Sequence, residues 1–276
     1  MQRTSRRKHK DRLYFSRFWP SARLRRRWLR AFRRAPAAVQ VAIALAIAVT
    51  LWAALNWTYQ VIRKPTELFF PVSETLDKTP SETWGEYAPI FRKHSTNVMT
   101  PELLAALAQV EASGNPVART YWRWAWKLKP FEVYRPASSA VGMYQITDGT
   151  FSEARRSCIH DHLVVQDGPW HAWRSCWFNG LYLRVIPSHA VELTSAYLDR
   201  SVARVLARRG IKSATREQKQ KLATLIHLCG AGAGDAYARR GLRLTRGQRC
   251  GNHDLRAYLA RVAAMNQVFV RLAAQS

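Results

Sequence analysis

The chain is 276 residues long and carries a formal net charge of +26, with 44 basic residues against 18 acidic ones. This length suits one domain of ordinary size with additional segments and leaves no room for several large domains. Its four cysteines include no Cys-x-x-Cys pair, which excludes the common zinc and dithiol redox motifs.

The N-terminal part combines a basic arm with an apolar stretch. Residues 1–34 supply fourteen Lys or Arg and a single acid, Asp11, whereas residues 35–62 contain no charged side chain. About 20 mostly apolar residues cross a bilayer, so 35–62 is predicted to be an uncleaved transmembrane signal-anchor. The positive-inside rule places the arm in the cytoplasm. A cleaved signal peptide is the alternative, although its apolar region would be shorter.

The arm is interpreted as a topology signal. Contact with anionic lipid headgroups or with nucleic acid is the alternative use of such a charge run. Prolines among Ser, Thr and Glu predict a linker over residues 63–98, which leaves residues 99–276 as the folded domain. That domain shows helical periodicity and almost no strand alternation, so it is predicted to be mainly α.

One predicted helix places a glutamate among apolar side chains. It begins at Thr100 and Pro101, an N-cap followed by a proline at the first helical position. Apolar residues then recur at helical spacing at Leu103, Leu104, Leu107 and Val110. Glu111 falls on the same face. A carboxyl group among apolar side chains tends to keep its proton, because desolvation disfavours the charged form, and it can therefore act as a general acid.

The residues after this glutamate resemble a known family. Glu111 is followed by Ser113-Gly114-Asn115-Pro116, and further on by Ser139-Ala140-Val141-Gly142-Met143-Tyr144-Gln145 and Thr150. These segments resemble the Glu-Ser, Asn-Pro and Ser-x-Ala-x-Gly-Leu-Met-Gln pattern of the lytic transglycosylases, the SLT branch of the lysozyme-like superfamily. Tyr258-Leu259-Ala260-Arg261-Val262 resembles the closing Tyr-x-x-Arg-Val helix of that family. The resemblance covers roughly residues 99–272.

The resemblance implies a lysozyme-like fold and an activity on peptidoglycan. Glu111 would be the catalytic acid that cleaves the β-1,4 bond between N-acetylmuramic acid and N-acetylglucosamine, with formation of a 1,6-anhydro ring. It also implies a set of substrate-binding residues, namely Ser139, Met143, Tyr144, Gln145 and Tyr258. No metal and no cofactor are expected. The family's Tyr-Asn pair is replaced here by Cys229 and Gly230.

Three other functions compete with this interpretation. A hydrolytic muramidase would need a second carboxylate, and Asp148 in the turn after Gln145 is its candidate, although a turn or N-cap role suits that residue better. A weakly catalytic, wall-binding scaffold of a secretion complex is the second alternative. Nucleic-acid binding is not favoured, because no nucleic-acid-binding pattern accompanies the basic residues.

The resemblance also indicates location and partners. The expected location is the bacterial inner membrane, crossed once, with the catalytic domain in the periplasm, where it meets glycan strands. Family members often accompany conjugation or secretion machines, so such a complex is a candidate partner. Residues 117–137 are an aromatic and basic insertion, interpreted as a structural lid, a membrane-contacting surface or a sugar-binding surface.

All four cysteines follow the apolar stretch, where an oxidising periplasm would permit disulfides. Pairing of sequence neighbours, Cys158 with Cys176 and Cys229 with Cys250, is preferred among three possible connectivities. Unpaired buried thiols are the alternative.

Overall fold

The computed structural model describes residues 22–69, 74–125, 129–169, 171–172 and 175–276. The first part of the basic arm, residues 1–21, and residues 126–128 of the insertion therefore lie outside the described residues. The chain divides into two units, one ending at Trp57 and the other beginning at Thr58.

The N-terminal unit is helical. Helix α1 spans Ala22–Arg34 and is rich in arginine. Helix α2 spans Ala37–Arg63, and its last turns belong to the second unit. An 18-residue window of α2 has a mean hydropathy of 2.2, and none of that window is buried. By length and composition, α2 is thus capable of crossing a membrane.

The second unit is built mainly from helices, which confirms the predicted fold class. They are α3 (Pro80–Lys93), α4 (Pro101–Ala112), α5 (Asp148–Ala154), α6 (Pro187–Arg208), α7 (Arg216–Arg239) and α8 (Leu255–Ala273). Six consecutive residues of α4, 103–108, are buried. Helices α3 and α8 pack against α4, and α6 packs against α7. The apolar helix predicted to carry Glu111 is thus the centre of the core.

The prediction of a linker over residues 63–98 is wrong in its second half. Helix α3 occupies that part and contributes Trp84, Tyr87 and Phe91 to the core. Thr79 and Glu82 form a capping box, in which the Glu82 amide donates to Thr79 Oγ1 and the Thr79 amide donates to Glu82 Oε2. Pro80 stands at the first helical turn, where proline is compatible with a helix. The folded domain therefore begins before residue 99.

Helix α7 continues to Arg239 through an internal kink. Gly230 inside it has φ 79° and ψ 167°, so two helical segments meet there at a kink. This left-handed φ favours glycine. The kink changes the direction of the chain directly after His227, which lies in the functional site.

Within the described residues, three short antiparallel hairpins accompany the helices. Strands β1 (Trp122–Trp124) and β2 (Tyr134–Pro136) pair within the insertion. Strands β3 (Ser157–His160) and β4 (Leu163–Gln166) pair after α5. Strands β5 (Arg249–Cys250) and β6 (His253–Asp254) precede α8. Local pairings of this kind need few residues, which explains why strand periodicity is nearly invisible in the sequence.

Two disulfides connect sequence neighbours, as in the preferred connectivity. Cys158 bonds to Cys176 and Cys229 bonds to Cys250, with Cα–Cα distances of 5.4 and 5.3 Å. The first joins β3 to the segment after β4. The second joins the α7 kink to β5.

Candidate active site

Glu111 lies in the last turn of α4, next to the point where the helix ends. Ser113 adopts the left-handed conformation with φ 48° and Gly114 follows with φ 66°. A Cβ atom on Gly114 would lie only 2.3 Å from Thr83 Oγ1 of α3, so only glycine fits there. The Glu111 side chain is 16% exposed. The Glu111 side chain therefore lies at the edge of the core and is partly exposed to solvent.

Two side chains from distant parts of the sequence contact the Glu111 carboxylate. The Tyr258 hydroxyl of α8 hydrogen-bonds to Glu111 Oε1, and His227 Nε2 of α7 lies 3.6 Å from the same oxygen. Burial raises the pKa of Tyr258, so its phenol stays protonated and able to donate. Burial also lowers the pKa of His227, against the opposing effect of the Glu111 charge. The carboxylate thus meets a neutral donor and a largely uncharged imidazole.

The turn that carries the family pattern lies beside this carboxylate. Gly142 has φ 77°, and a Cβ there would approach the Arg184 carbonyl oxygen to 2.4 Å. Gln145 also has a positive φ of 47°. The side-chain amide nitrogen of Gln145 donates to the Gly142 carbonyl at 2.9 Å and to the Ala118 carbonyl at 3.3 Å. These bonds fix Gln145 in the turn and in the cleft.

Met143 and Tyr144 do not have the predicted substrate-binding role. Both side chains are fully buried in the core. The Tyr144 hydroxyl donates to the Leu104 carbonyl oxygen at 3.1 Å, which ties the turn to α4. Side chains without solvent access cannot touch a glycan, so these two residues hold the turn in place. Tyr258 is also buried, and the structure places its hydroxyl on Glu111 rather than in open cleft space.

Ser139 and Asp148 form a polar contact at the far end of the turn. Ser139 Oγ accepts from the Asp148 amide at 3.2 Å. The Asp148 carboxylate is 72% exposed and pairs with Arg184 at 2.8 Å. Neither residue lines the two cavities that meet near Glu111. Ser139 and Asp148 therefore shape the turn, and Asp148 does not sit beside the acid.

Two cavities form a cleft around this constellation. One, of about 390 Å³, is lined by residues that include Glu111, Ser113, Arg119, Tyr121 and Gln145. The other, of about 230 Å³, is lined by residues that include Gln145, Thr150, Tyr197, His227 and Gly230. Gln145 lines both. Two cavities that share a lining residue suit a chain polymer that occupies both.

Two acidic residues in this cleft escaped the sequence analysis. Glu74 and Asp77, from the segment just before α3, line the same cavity as Glu111. Asp77 Oδ1 accepts from the Asn115 side-chain amide at 2.8 Å. They were missed because residues 63–98 were interpreted as a linker. The capping box at Thr79 was the available signal that ordered structure begins there.

The domain is rich in α-helix. One glutamate lies at the end of its central helix and faces a cleft beside the Gly-Met-Tyr-Gln turn. This arrangement is characteristic of the lysozyme-like superfamily. Within that class, the family model of the transglycosylase SLT domain matches residues 88–214. Residues 88–214 are therefore similar to a transglycosylase SLT domain, as the sequence motifs implied. The match begins inside α3 and ends before α7, so it covers Glu111 and the turn but neither His227 nor Tyr258. A search of curated proteins gives no significant match.

The matched SLT domain supports a function of the lytic transglycosylase type that acts on peptidoglycan.

Proposed function

We propose that this chain is a membrane-anchored lytic transglycosylase in which Glu111 is both the acid and the base. The position of the Glu111 carboxylate supports this most directly, since it lines a cleft cavity and is held by Tyr258. A positioned carboxyl group is the one catalytic group that this reaction requires.

The proposed reaction needs no water. Protonated Glu111 gives its proton to the glycosidic oxygen while the bond from that oxygen to C1 of N-acetylmuramic acid breaks. The resulting carboxylate then takes the proton of the C6 hydroxyl as O6 bonds to C1. A 1,6-anhydro ring and a free N-acetylglucosamine hydroxyl result, and Glu111 is again protonated. Tyr258 keeps the carboxyl oriented, and Gln145 is placed to contact the glycan.

The test is mass spectrometry of the fragments that the full-length protein releases from purified sacculi. We expect 1,6-anhydro muropeptides from the unaltered protein and a loss of at least about a hundredfold in rate for Glu111→Gln. Glu102→Gln is the matched control, because Glu102 lies in the first turn of the same helix, away from the cleft. Near-normal turnover by Glu111→Gln would disprove the assignment.

A hydrolytic muramidase is the second candidate, favoured by the two carboxylates Glu74 and Asp77 in the Glu111 cavity. A hydrolase needs a second acid to act as nucleophile or to activate water. Its products would carry a reducing end and one additional water. If hydrolysis is the reaction, Asp77→Asn or Glu74→Gln should abolish it. Asp148→Asn should have a modest effect under either mechanism, because that carboxylate is exposed and paired with Arg184.

We further propose that α2 anchors the protein in the inner membrane, with the domain in the periplasm. The length and hydropathy of α2 support this, as do the two disulfides, which an oxidising compartment permits. A conjugation or secretion apparatus is the proposed partner, since such machines require local openings in the wall.

A further inference from the structure

The β1–β2 hairpin is bound to the residues that directly follow the apolar part of α2. Gln60 Nε2 donates to the Phe131 carbonyl oxygen, between the two strands, at 2.6 Å. The Tyr59 and Phe131 rings lie 5.4 Å apart. Both contacts lie within the second unit, which begins at Thr58. The hairpin is therefore attached to the last turns of α2.

A buried ionic cluster strengthens this attachment. Glu67 is fully buried, and its carboxylate accepts from Trp122 Nε1 of β1 at 2.7 Å. Lys64 and Arg119 each approach the same carboxylate to 3.4 Å. Lys64 also donates to the Ser138 carbonyl, just beyond β2, at 3.3 Å. A buried charge with several partners holds its surroundings in one arrangement, because removing any partner would leave that charge uncompensated.

Chain length sets how far the hairpin can be from a bilayer. The nearly all-apolar part of the predicted span 35–62 ends at Leu55. Gln60 follows Leu55 by five residues, which reach at most about 18 Å even when fully extended. If α2 crosses the membrane, the residues that bind the hairpin are at the membrane surface.

The side chains of the hairpin suit that location. In β1, Trp122 and Trp124 share one face with Tyr134 of β2, with ring centroids 5.1 and 4.7 Å from the Tyr134 ring. Trp122 is anchored to Glu67, whereas Trp124 is 62% exposed. Arg123 points to the other face, opposite Arg135. Amphipathic rings beside cations are typical of the headgroup layer, where tryptophan is enriched and basic groups meet phosphate.

The charge of the hairpin also favours contact with the membrane surface. Among the described residues, the basic side chains of the hairpin and of the residues that bind it are Arg63, Lys64, Arg119, Arg123, Lys129 and Arg135. The acidic ones are Glu67 and Glu132. Glu67 is buried, and Glu132 is surrounded by Arg63, Lys129 and Arg135 at 3.6 to 4.0 Å. The outward charge is thus positive, as contact with an anionic phospholipid surface requires.

We propose that the β1–β2 hairpin is a membrane-contact surface, in which Trp124 lies among phospholipid headgroups and Lys129, between the two strands, faces lipid phosphates. Residues 119–121, which lead into β1, include Arg119 and Tyr121 of the Glu111 cavity. The cleft would therefore be presented to glycan strands that run close to the membrane. This inference rests on the proposed membrane span.

The test places a single environment-sensitive fluorophore on the full-length protein in vesicles of phosphatidylethanolamine and phosphatidylglycerol. The native cysteines are paired, so one introduced cysteine takes the label at Trp124→Cys, and Lys129→Cys is a second site if the first variant does not fold. Leu45→Cys in α2 reports the span. Lys212→Cys, in the exposed loop between α6 and α7, is the matched control on the domain surface.

We expect nitroxide-bearing lipids to quench the labels at positions 45 and 124 but not the label at position 212. Quenching at 124 should weaken when phosphatidylglycerol is omitted. Quenching at 45 without quenching at 124 would overturn the inference while leaving the span intact. An unquenched label at 45 would overturn both.

Release of anhydro muropeptides by the same preparations is measured separately, so failure of the membrane contact and failure of the proposed reaction are distinguishable. A label at 124 that responds to added glycan fragments and not to lipid would identify the hairpin as a sugar-binding surface instead, and would also overturn the proposal.

Discussion

At the scale of single residues, two neutral side chains contact the Glu111 carboxylate. Tyr258 hydrogen-bonds to the carboxylate, and the His227 imidazole lies 3.6 Å away from it. Neither brings a permanent positive charge to the carboxyl group. A cation in that place would favour the ionised form, which would make the group a poorer acid. The partners are therefore suited to a carboxyl that must both give and take a proton.

The lowered pKa of His227 predicts a loss of stability in acid. Above the ordinary histidine pKa of about 6.5, the imidazole is neutral in the folded and the unfolded chain, so it has no pH-dependent effect. As pH falls through that value, the unfolded chain binds a proton that the buried ring resists, and the free energy of unfolding decreases. His227→Gln, which cannot be protonated, should lose less stability on acidification.

Urea unfolding of both proteins at about pH 7.5 and about pH 5.5 measures this effect, since each unit of pKa difference corresponds to at most about 1.4 kcal/mol. His94 is a second buried histidine whose pKa is lowered mainly by burial, so the variant should keep part of the acid sensitivity. Equal losses in the two proteins would show that His227 does not resist protonation.

The sequence identified the right turn but not which of its side chains are accessible. Glu111, Gln145 and Tyr258 were recognised by resemblance; Glu111 and Gln145 line the same cavity, and the buried Tyr258 hydroxyl contacts Glu111. Met143 and Tyr144 belong to the same motif and are buried. The residues of a motif occur together because the fold requires all of them. The direction of the backbone decides which of their side chains face the cleft. The positive φ angles of Gly142 and Gln145 set that direction. The spacing of hydrophobic residues in the sequence does not reveal these angles.

At the scale of elements, a helix with a recognisable cap and apolar spacing was predictable. The start of α4 at Pro101 follows from its Thr-Pro cap. Helix α3 was missed because residues 63–98 were interpreted as a linker, although Pro80 is at its first turn. The α7 kink depends on the left-handed φ of Gly230, which hydrophobic periodicity does not report.

The two disulfides should differ in their effect on catalysis. Cys229 lies two residues after His227, and its partner Cys250 precedes α8, which carries Tyr258. The Cys229–Cys250 bond thus connects both segments that reach Glu111. The Cys158–Cys176 bond closes a loop of similar length, with a sequence separation of 18 against 21. It joins β3 to the segment that follows β4.

We expect replacement of either cysteine pair by serine to lower the free energy of unfolding by about 3 kcal/mol, because similar loops restrict the unfolded chain similarly. Only Cys229→Ser/Cys250→Ser should also lower kcat, by about tenfold, since small displacements of catalytic groups are costly. Rates measured below the unfolding transition separate the two effects. Equal kcat losses in the two double variants would contradict a positioning role for Cys229–Cys250.

At the scale of the whole molecule, the active site combines segments that are far apart in sequence. Glu111 and Tyr258 are separated by 147 residues, and the cavity wall also includes Glu74 and Asp77. The family match ends at residue 214, so part of this site lies outside it. Resemblance therefore gave the class of reaction. The packing of α4 against α8 brings Tyr258 to the acid, and that packing is not encoded in any local pattern.

The basic arm and α2 predict the orientation of the whole chain. Positively charged segments stay in the cytoplasm, and residues 1–34 supply fourteen basic residues before the apolar helix begins. The C-terminus after α8 should therefore be periplasmic. A β-lactamase fused after Ser276 should protect cells against ampicillin, because the enzyme works only outside the cytoplasm. The same fusion without residues 37–57 is the control, and it should stay inside and give no protection. An intact full-length fusion that fails to protect would mean that the domain faces the cytoplasm, where it could not reach peptidoglycan.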